Sequence, residues 1–502
     1  MDGLEIQEEL KPSHVSRLFS FAQLLAFALT FMESWEVVAM NMGATLWNGG
    51  PQSLAWGCIA VVIGSLSQAM SMAELASIQP IAGAQYHWTA LLAPKKQRKF
   101  VTWMQGWVRW FAWVTALAGS TSSEAAILQG LVSTSYPNYV PERWRLTLIM
   151  YALLISVGLI NMYAFWLVPW LELASGVLHV ILWLIFVVVM VTLGPGHKPD
   201  FVFLEGGALS GWGSSFVAFN LGMFVPAWGF IGFDGAVHMS EEVRKAKHAV
   251  PRTMIYTIII NGILAYGITL VLLFTMGNPE SIQDSAYPII PICLNATGSL
   301  KAATAMVAGL VIVTYCVIAA SVASVSRITW AWARDGALPS ALSHVHSRHK
   351  VPVRALWLPI AIVMLLALLN IGSTSATAFS AFTALSSFGL YSSYIIAVGV
   401  TLHARLTGVL GDEPNAKVRY GGWRLWNGWG TPVNIFALAW TAYLTVFLAF
   451  PTTLPVDGTN MNYALPIYAA VVLDALIWWF VWGKSKWPGL NMIPINRVEI
   501  QQ

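Results

Sequence analysis

Apolar residues run along this chain in long continuous stretches, neither alternating as in a half-buried strand nor confined to one helical face, and charges and turn residues punctuate them. No Asp, Glu, Lys or Arg occurs between Ala355 and Ala404. A bilayer core of roughly 30 Å needs about 20 apolar helical residues. That length predicts twelve spans, at about 19–46, 54–78, 101–133, 146–163, 166–193, 214–238, 253–276, 302–330, 355–371, 376–403, 432–450 and 463–483. Helices are expected rather than a barrel, because the runs do not alternate and a helix satisfies its own backbone in lipid. The predicted fold class is an all-α membrane protein of about twelve transmembrane helices. Its expected parts are a tail 1–18, a ten-helix core 19–403, a loop 404–431, two further helices 432–483 and a tail 484–502. No separate soluble domain fits in the remainder.

Composition agrees with the pattern: 57% of residues are hydrophobic, 10% are charged and the mean hydropathy is +0.64, against roughly 25% charged in soluble domains. Three cysteines, an odd and small number, give no disulfide framework, and the thiols are expected to be incidental. A net charge of +4 does not point to nucleic acid, because the basic residues lie between spans. With a cytosolic amino terminus, 22 of the 27 basic residues fall on the cytosolic side and 4 (Arg143, Arg145, Lys198, Lys301) on the other, while Arg109 lies within a span. The positive-inside rule therefore places both termini in the cytosol. The sequon Asn295-Ala296-Thr297 falls in a predicted external loop, which makes Asn295 a glycosylation candidate. The acidic start Met1–Glu9 has no cleavable signal pattern, so the first span is expected to direct insertion.

Seven acids fall inside the spans: Glu33, Glu36, Glu74, Glu124, Glu172, Asp234 and Asp474. A carboxylate at a helix centre costs roughly 2.5–3.5 kcal/mol on insertion scales, so such residues are expected to face the bundle interior and to mark substrate or ion pathways. Glu33-Ser34-Trp35-Glu36 sets two of them one turn apart in the middle of the first span. Either the helix unwinds there, or one carboxyl is protonated, or a cation lies between them. The sixth span carries Pro226 and then Gly229, Gly232 and Gly235 around Asp234, poor material for a helix. Broken helices in corresponding places of two halves point to an inverted-repeat transporter with a midplane site, spans one to five and six to ten being the repeats.

At this point the chain resembles the fungal amino-acid and choline transporters of the amino acid, polyamine and organocation (APC) superfamily. The resemblance rests on Ala73-Glu74-Leu75-Ala76-Ser77 with Pro80 and Ala82–Trp88, on Gly232–Val243 with Val250-Pro251-Arg252, on Arg327–Pro339, and on Gly428-Trp429-Gly430, Asn434, Phe450-Pro451 and Pro455-Val456. It covers about 19–490. The resemblance implies a twelve-helix fold with a five-plus-five, LeuT-like inverted repeat and broken helices one and six. It further implies inward transport of amines or amino acids such as choline or 4-aminobutyrate, usually driven by protons. Relatives in the wider superfamily bind a substrate carboxylate at a Gly-rich break in the first helix. Here that place reads Glu33-Ser34-Trp35-Glu36, a departure that puts carboxylate binding in doubt.

The candidate substrate-binding residues are Glu33, Ser34, Trp35, Glu36, Phe230, Gly232, Phe233 and Asp234. Glu33 and Glu36 could meet a cation or bond to unwound backbone amides; Phe230 and Phe233 could stack on an ammonium or simply pack; Asp234 could bind ligand or shape the break. His179, seven residues after Glu172 on one face of the fifth span, can change charge near neutral pH. With Glu172 and Glu124 it is a proton-coupling candidate or a neutral interhelical bond. Glu241, Glu242, Arg327, Arg334 and Asp335 could form a cytoplasmic gate or a solvated charge cluster. The tryptophans 103, 107, 110 and 113 make one stripe, which packing or an interfacial belt explains.

No metal-ligand cluster, phosphate-cradling loop or enzyme motif is legible, and no cofactor is expected. The function expected is secondary active uptake of a small amine-bearing solute, coupled to protons with sodium left open, in the plasma membrane or alternatively the vacuolar membrane. A nutrient sensor of transporter fold and an exporter are the alternatives. The short flanks of the first and last spans favour transport over sensing, and the expected partners are the solute, protons and the lipid bilayer.

Overall fold

The computed structural model describes residues 19–490 apart from 137, 208, 280–281, 283–286, 373–374, 414–415, 427 and 458–459. The expected tail 1–18 and residues 491–502 of the other tail lie outside the described residues. Among the described residues there is no β-sheet; two isolated bridges join Phe19 to Val243 and Leu410 to Val418. The first span is two helices, α1 (Phe21–Met32) and α2 (Ser34–Asn48). Next come α3 (Gly50–Ile78), a short α4 (Gln85–Leu92), α5 (Arg98–Ser135), α6 (Arg143–Tyr163) and α7 (Val168–Leu193). A short α8 (Pro199–Leu204) precedes the sixth span, which is split into α9 (Ser215–Gly222), α10 (Phe224–Gly229) and α11 (Gly235–His238). Then follow α12 (Ala246–Thr275), α13 (Ile289–Thr297), α14 (Leu300–Arg334), α15 (Val353–Ala367), α16 (Leu369–Gly372) and α17 (Ser375–Leu406). The last are α18 (Gly430–Leu448) and α19 (Ala464–Trp478), the latter continuing as a π-turn through Gly483.

Among the described residues ten helices are long and apolar enough to cross a bilayer. The two remaining predicted spans are the broken sixth and α5, which carries Gln105, Arg109, Glu124 and a series of serines and threonines into the bundle. These polar residues are buried because α5 runs through the bundle between α14 and α17. The fold is thus all-helical with twelve spans, and each group of five opens on a broken helix.

The fifth span shows how sequence sets orientation here. On α7 the lipid-facing stripe is Val177, Ile181, Leu184, Val188 and Val191, all exposed, whereas Glu172, Ser175, Gly176, His179 and Phe186 are buried. A 3.6-residue period thus sorts apolar side chains outward and polar ones inward, the reverse of a soluble helix. Gly176 permits the approach to α1: a β-carbon there would stand 2.8 Å from the Ala26 β-carbon. Small residues at such crossings are what close packing in lipid requires. Asp474 departs from the expectation that intramembrane acids face the interior, for it is exposed on α19.

Candidate functional site

A capping box starts α1: the Ser20 hydroxyl accepts from the Gln23 amide while Gln23 Oε1 accepts from the Ser20 amide at 3.0 Å. The helix stops at Glu33, whose φ of 40° and ψ of 38° are left-handed. For a non-glycine residue that conformation costs about 1–3 kcal/mol and persists only where surroundings impose it. Here they do, since the next residue, Ser34, donates its hydroxyl to the Gly229 carbonyl at 2.6 Å, tying the first break to the second. In the sixth span Gly232 has φ +97°, and its amide meets the Tyr394 hydroxyl at 3.3 Å. The two breaks face each other across a narrow cavity of about 40 Å³, room for roughly three waters at 10–15 Å³ each. Its walls include Glu33, Trp113, Ser120, Trp228, Gly232 and Ser321.

Of the eight residues named as substrate-binding candidates, Glu33 and Gly232 line this cavity. The Glu33 carboxyl shares the cavity wall with Ser120, while its Oε2, buried, has no partner among the described residues. Glu36, one turn on, turns to α7, where its Oε1 lies 2.5 Å from His179 Nδ1. Trp35 donates its indole N–H toward the same Nδ1 at 3.1 Å and packs on Phe186. Phe230 and Phe233 are fully buried; Phe233 packs on Tyr394. Asp234 is held away from the cavity: Oδ1 accepts from Tyr394 at 2.8 Å, Oδ2 accepts from Gln85 at 2.6 Å, and Arg109 Nε and His238 Nε2 stand at 3.9 and 3.5 Å from Oδ2. Arg109 also donates to the Gly83 carbonyl at 2.6 Å. Asp234 thereby joins α4 and the third span to the sixth-helix break and the tenth span.

His179 and Glu172 share a face of α7, as the spacing predicts, but Glu172 bonds Thr30 at 2.9 Å and His179 bonds Glu36. Glu124 bonds the Thr314 hydroxyl. Glu74 pairs with Arg405 and accepts from the Leu425 amide at 3.2 Å. Sequence reasoning missed Trp113 and Trp228 as cavity walls; Trp113 packs tilted on Phe31 at 5.2 Å, edges on His238 at 5.0 Å and has no partner for its buried Nε1 among the described residues. The tryptophan stripe of the third span contained it, but the stripe alone did not show which member turns inward.

At the basic-rich end the five gate candidates come together. Arg327 pairs with Glu242 at 2.8 Å with both side chains buried, and Arg334 reaches Glu241 at 3.2 Å. Asp335 accepts from Tyr86 at 2.7 Å and meets His87 at 2.8 Å, while its carbonyl accepts from Trp487 Nε1 at 2.9 Å. The Phe19 amide donates to the Glu242 carbonyl at 3.1 Å. Burial pushes the Asp335 carboxyl up, but the hydrogen bond and charge of His87, with Arg334 and the Tyr86 hydroxyl, outweigh it and hold the group below the usual carboxylate range. Asn295 lies on α13, exposed, toward the other end.

Comparison with known proteins fits this geometry. The chain is 28% identical to the choline transporter of Saccharomyces cerevisiae over 97% of its own length and 88% of that protein. It is 29% identical to amino-acid permease 2 of Neurospora crassa over 94% and 86%, and 28% identical to the amino-acid permease BAT1 homolog of Oryza sativa subsp. japonica over 93% and 92%. The profile of the family described as "Amino acid permease" matches residues 19–472, from the start of the first span into the twelfth. With two broken helices facing one cavity and a family match over nearly its whole length, the chain belongs to the amino acid permease family of the APC superfamily, integral membrane transporters of five-plus-five inverted-repeat fold and not enzymes.

Proposed function

We propose that this transporter takes up a small amine-bearing solute that is cationic at the binding site, by alternating access and with protons as the coupling ion. The observation that carries the reading is the Glu33 carboxyl at the first-helix break, one oxygen unpartnered, beside the indoles of Trp113 and Trp228. A carboxylate with aromatic faces is a site for an ammonium, by charge and by cation–π attraction. Glu33 and Gly232 are the contacts in this reading; Ser34, Trp35, Phe230, Phe233 and Asp234 hold the breaks in shape. Glu36, His179, Glu172 and Glu124 supply buried groups able to exchange protons. The ion pairs of Glu241, Glu242, Arg327, Arg334 and Asp335 close the cytoplasmic end. The choline and amino-acid names of the relatives agree with such a substrate class.

Residues 19–403 form the transport core in this reading, both termini are cytosolic, and the plasma membrane is the site of action. Uptake into cells lacking their own permeases, with unlabelled amines and amino acids as competitors, is the test. Cationic amines should compete, uptake should rise as external pH falls, and a protonophore should abolish it. Competition by anionic solutes alone would overturn the substrate class, dependence on a sodium gradient at fixed pH would overturn the coupling, and outward accumulation would make the protein an exporter. A cysteine at position 295 should react with an impermeant reagent on intact cells, and one at 97 should not.

A further inference from the structure

Resting on the proton-coupled reading above, we propose that Glu36 and His179 are its proton-binding site, a clasp that joins α2 to α7 when loaded and lets them part when empty. The contact itself demands a proton. At 2.5 Å between Glu36 Oε1 and His179 Nδ1, two lone pairs would repel, so a hydrogen must lie between them. The same Nδ1 is 3.1 Å from the indole N–H of Trp35, the residue before Glu36. One nitrogen cannot serve both partners. Carrying two protons, the pair keeps one on the Glu36–Nδ1 line, so the carboxyl is held and the indole loses its acceptor; left with one, the imidazole can place it on Nε2, and then the indole gains an acceptor and the carboxylate is pushed off. Protonation thus exchanges two contacts of neighbouring residues on one helix.

Charge gives the loaded state its advantage. Both side chains are fully buried, and Glu36 Oε2 and His179 Nε2 have no partner among the described residues. With one proton the pair carries a net negative charge; a second proton makes it neutral, the state a dry interior holds best. The titratable groups on the surrounding elements include Glu33 on the break, Glu172 on α7, Glu124 on α5, Tyr315 and Cys316 on α14, Cys58 and Glu74 on α3, His248, Tyr256 and Tyr266 on α12 and Cys293 on α13. Among the described residues no Lys or Arg pairs with Glu36; Arg109 is held by Asp234 and Gly83, Arg327 by Glu242 and Arg334 by Glu241. A cation at Glu33 and a proton at the clasp, one helical turn apart, together leave the break neutral.

Glu172 and Glu124 do not have this property. Thr30 Oγ1 lies 3.0 Å from the Ala26 carbonyl as well as 2.9 Å from Glu172, and Thr314 Oγ1 lies 3.0 Å from the Leu310 carbonyl as well as against Glu124. Each threonine can donate to a carboxylate, or accept from a carboxyl while donating to its own helix, so the bonded oxygen keeps its partner in both protonation states and no contact is exchanged, although Oε1 of each has no partner among the described residues.

The experiment uses the purified full chain in proteoliposomes with radiolabelled choline and 4-aminobutyrate as probes, comparing counterflow at equal pH with accumulation under an inward acid gradient. His179→Gln keeps a side chain able to bond Glu36 but cannot carry the proton. It should keep counterflow within about threefold of wild type, lose gradient-driven accumulation and flatten the pH profile of exchange; Glu36→Gln should do the same, whereas Asp474→Asn, at an exposed acid of α19, should accumulate normally. A pH-jump infrared difference spectrum, which needs no probe, should show imidazole and carboxyl bands that vanish in both clasp variants. Full accumulation by His179→Gln, loss of counterflow along with accumulation in both clasp variants, or persistence of the bands would overturn the clasp. Wild-type counterflow with no response to the acid gradient would instead overturn proton coupling as a whole.

Discussion

Replacing Glu33 by Gln removes one charge from the cavity and keeps nearly the same shape. Glu33 is 4% exposed, its Oε2 has no partner, and the indoles of Trp113 and Trp228 share its cavity. A cation 4 Å from the carboxylate at an effective dielectric near 20 gains about 4 kcal/mol. Desolvation of both charges takes back part of this, leaving about 1–3 kcal/mol, or roughly 5- to 150-fold in affinity. A single indole contributes about 0.5–2 kcal/mol to the same cation, so Trp113→Leu should cost less than Glu33→Gln. The assay is uptake of labelled choline by cells without their own permeases, with surface expression measured in parallel. Competition by unlabelled choline is set against its neutral isostere, in which a quaternary carbon replaces the nitrogen. Wild type should prefer the cation over the isostere, and Glu33→Gln should raise the apparent KM and erase most of that preference. An unchanged KM at normal expression, or equal competition by cation and isostere in wild type, would refute the electrostatic reasoning.

Three further outcomes are expected. Arg327→Gln leaves Glu242 buried and unpaired, a cost of about 3–5 kcal/mol to the paired basic-rich end; a cysteine at Ala82, which shares a small cavity with Glu241, Glu242 and Arg327, should then label faster from the side proposed as cytosolic, and an unchanged rate would count against the proposed gate. Arg405→Gln abandons the fully buried Glu74 carboxyl, so thermal stability in detergent should drop by about 3 kcal/mol; an unaltered melting curve would contradict the pairing. Asp335 is held below its ordinary value of 3.8, so its contribution to stability is fully present above that value and is lost as pH falls through the folded-state value. Melting temperatures of wild type and Asp335→Asn should therefore converge as pH drops below about 4, and a constant gap would argue against the carboxylate's role.

The spans and both breaks were legible because bilayer thickness fixes helix length and because paired acids, proline and clustered glycines mark where a helix cannot continue. Contacts between helices were legible only where the candidates were few. Arg327 and Arg334 had Glu241 and Glu242 as evident partners, and the structure pairs Arg327 with Glu242 and Arg334 with Glu241. His179 offered a neighbour on its own helix, Glu172, yet its partner is Glu36, 143 residues away. Helical spacing ranks neighbours within a helix and is silent on how two helices are rotated against each other. Trp113 was hidden for the same reason, one indole among 25 whose inward turn depends on packing. Asp234 was correctly placed at a break, but its ties to Gln85, Arg109 and Tyr394 come from three separate segments.

Trp487 lies beyond the twelfth span, yet it is 1% exposed, packs against Trp103 and Trp332 and donates to the Asp335 carbonyl. This places a constraint on biosynthesis. Eleven spans can enter the bilayer and pack while translation is still under way, but the indole cluster between the third and eighth spans waits for a residue that leaves the ribosome after the twelfth. The nascent protein therefore passes through a stage in which its membrane bundle exists without this fastening, and quality control that recognises exposed tryptophan surface would distinguish chains that have reached Trp487 from those that have stopped short.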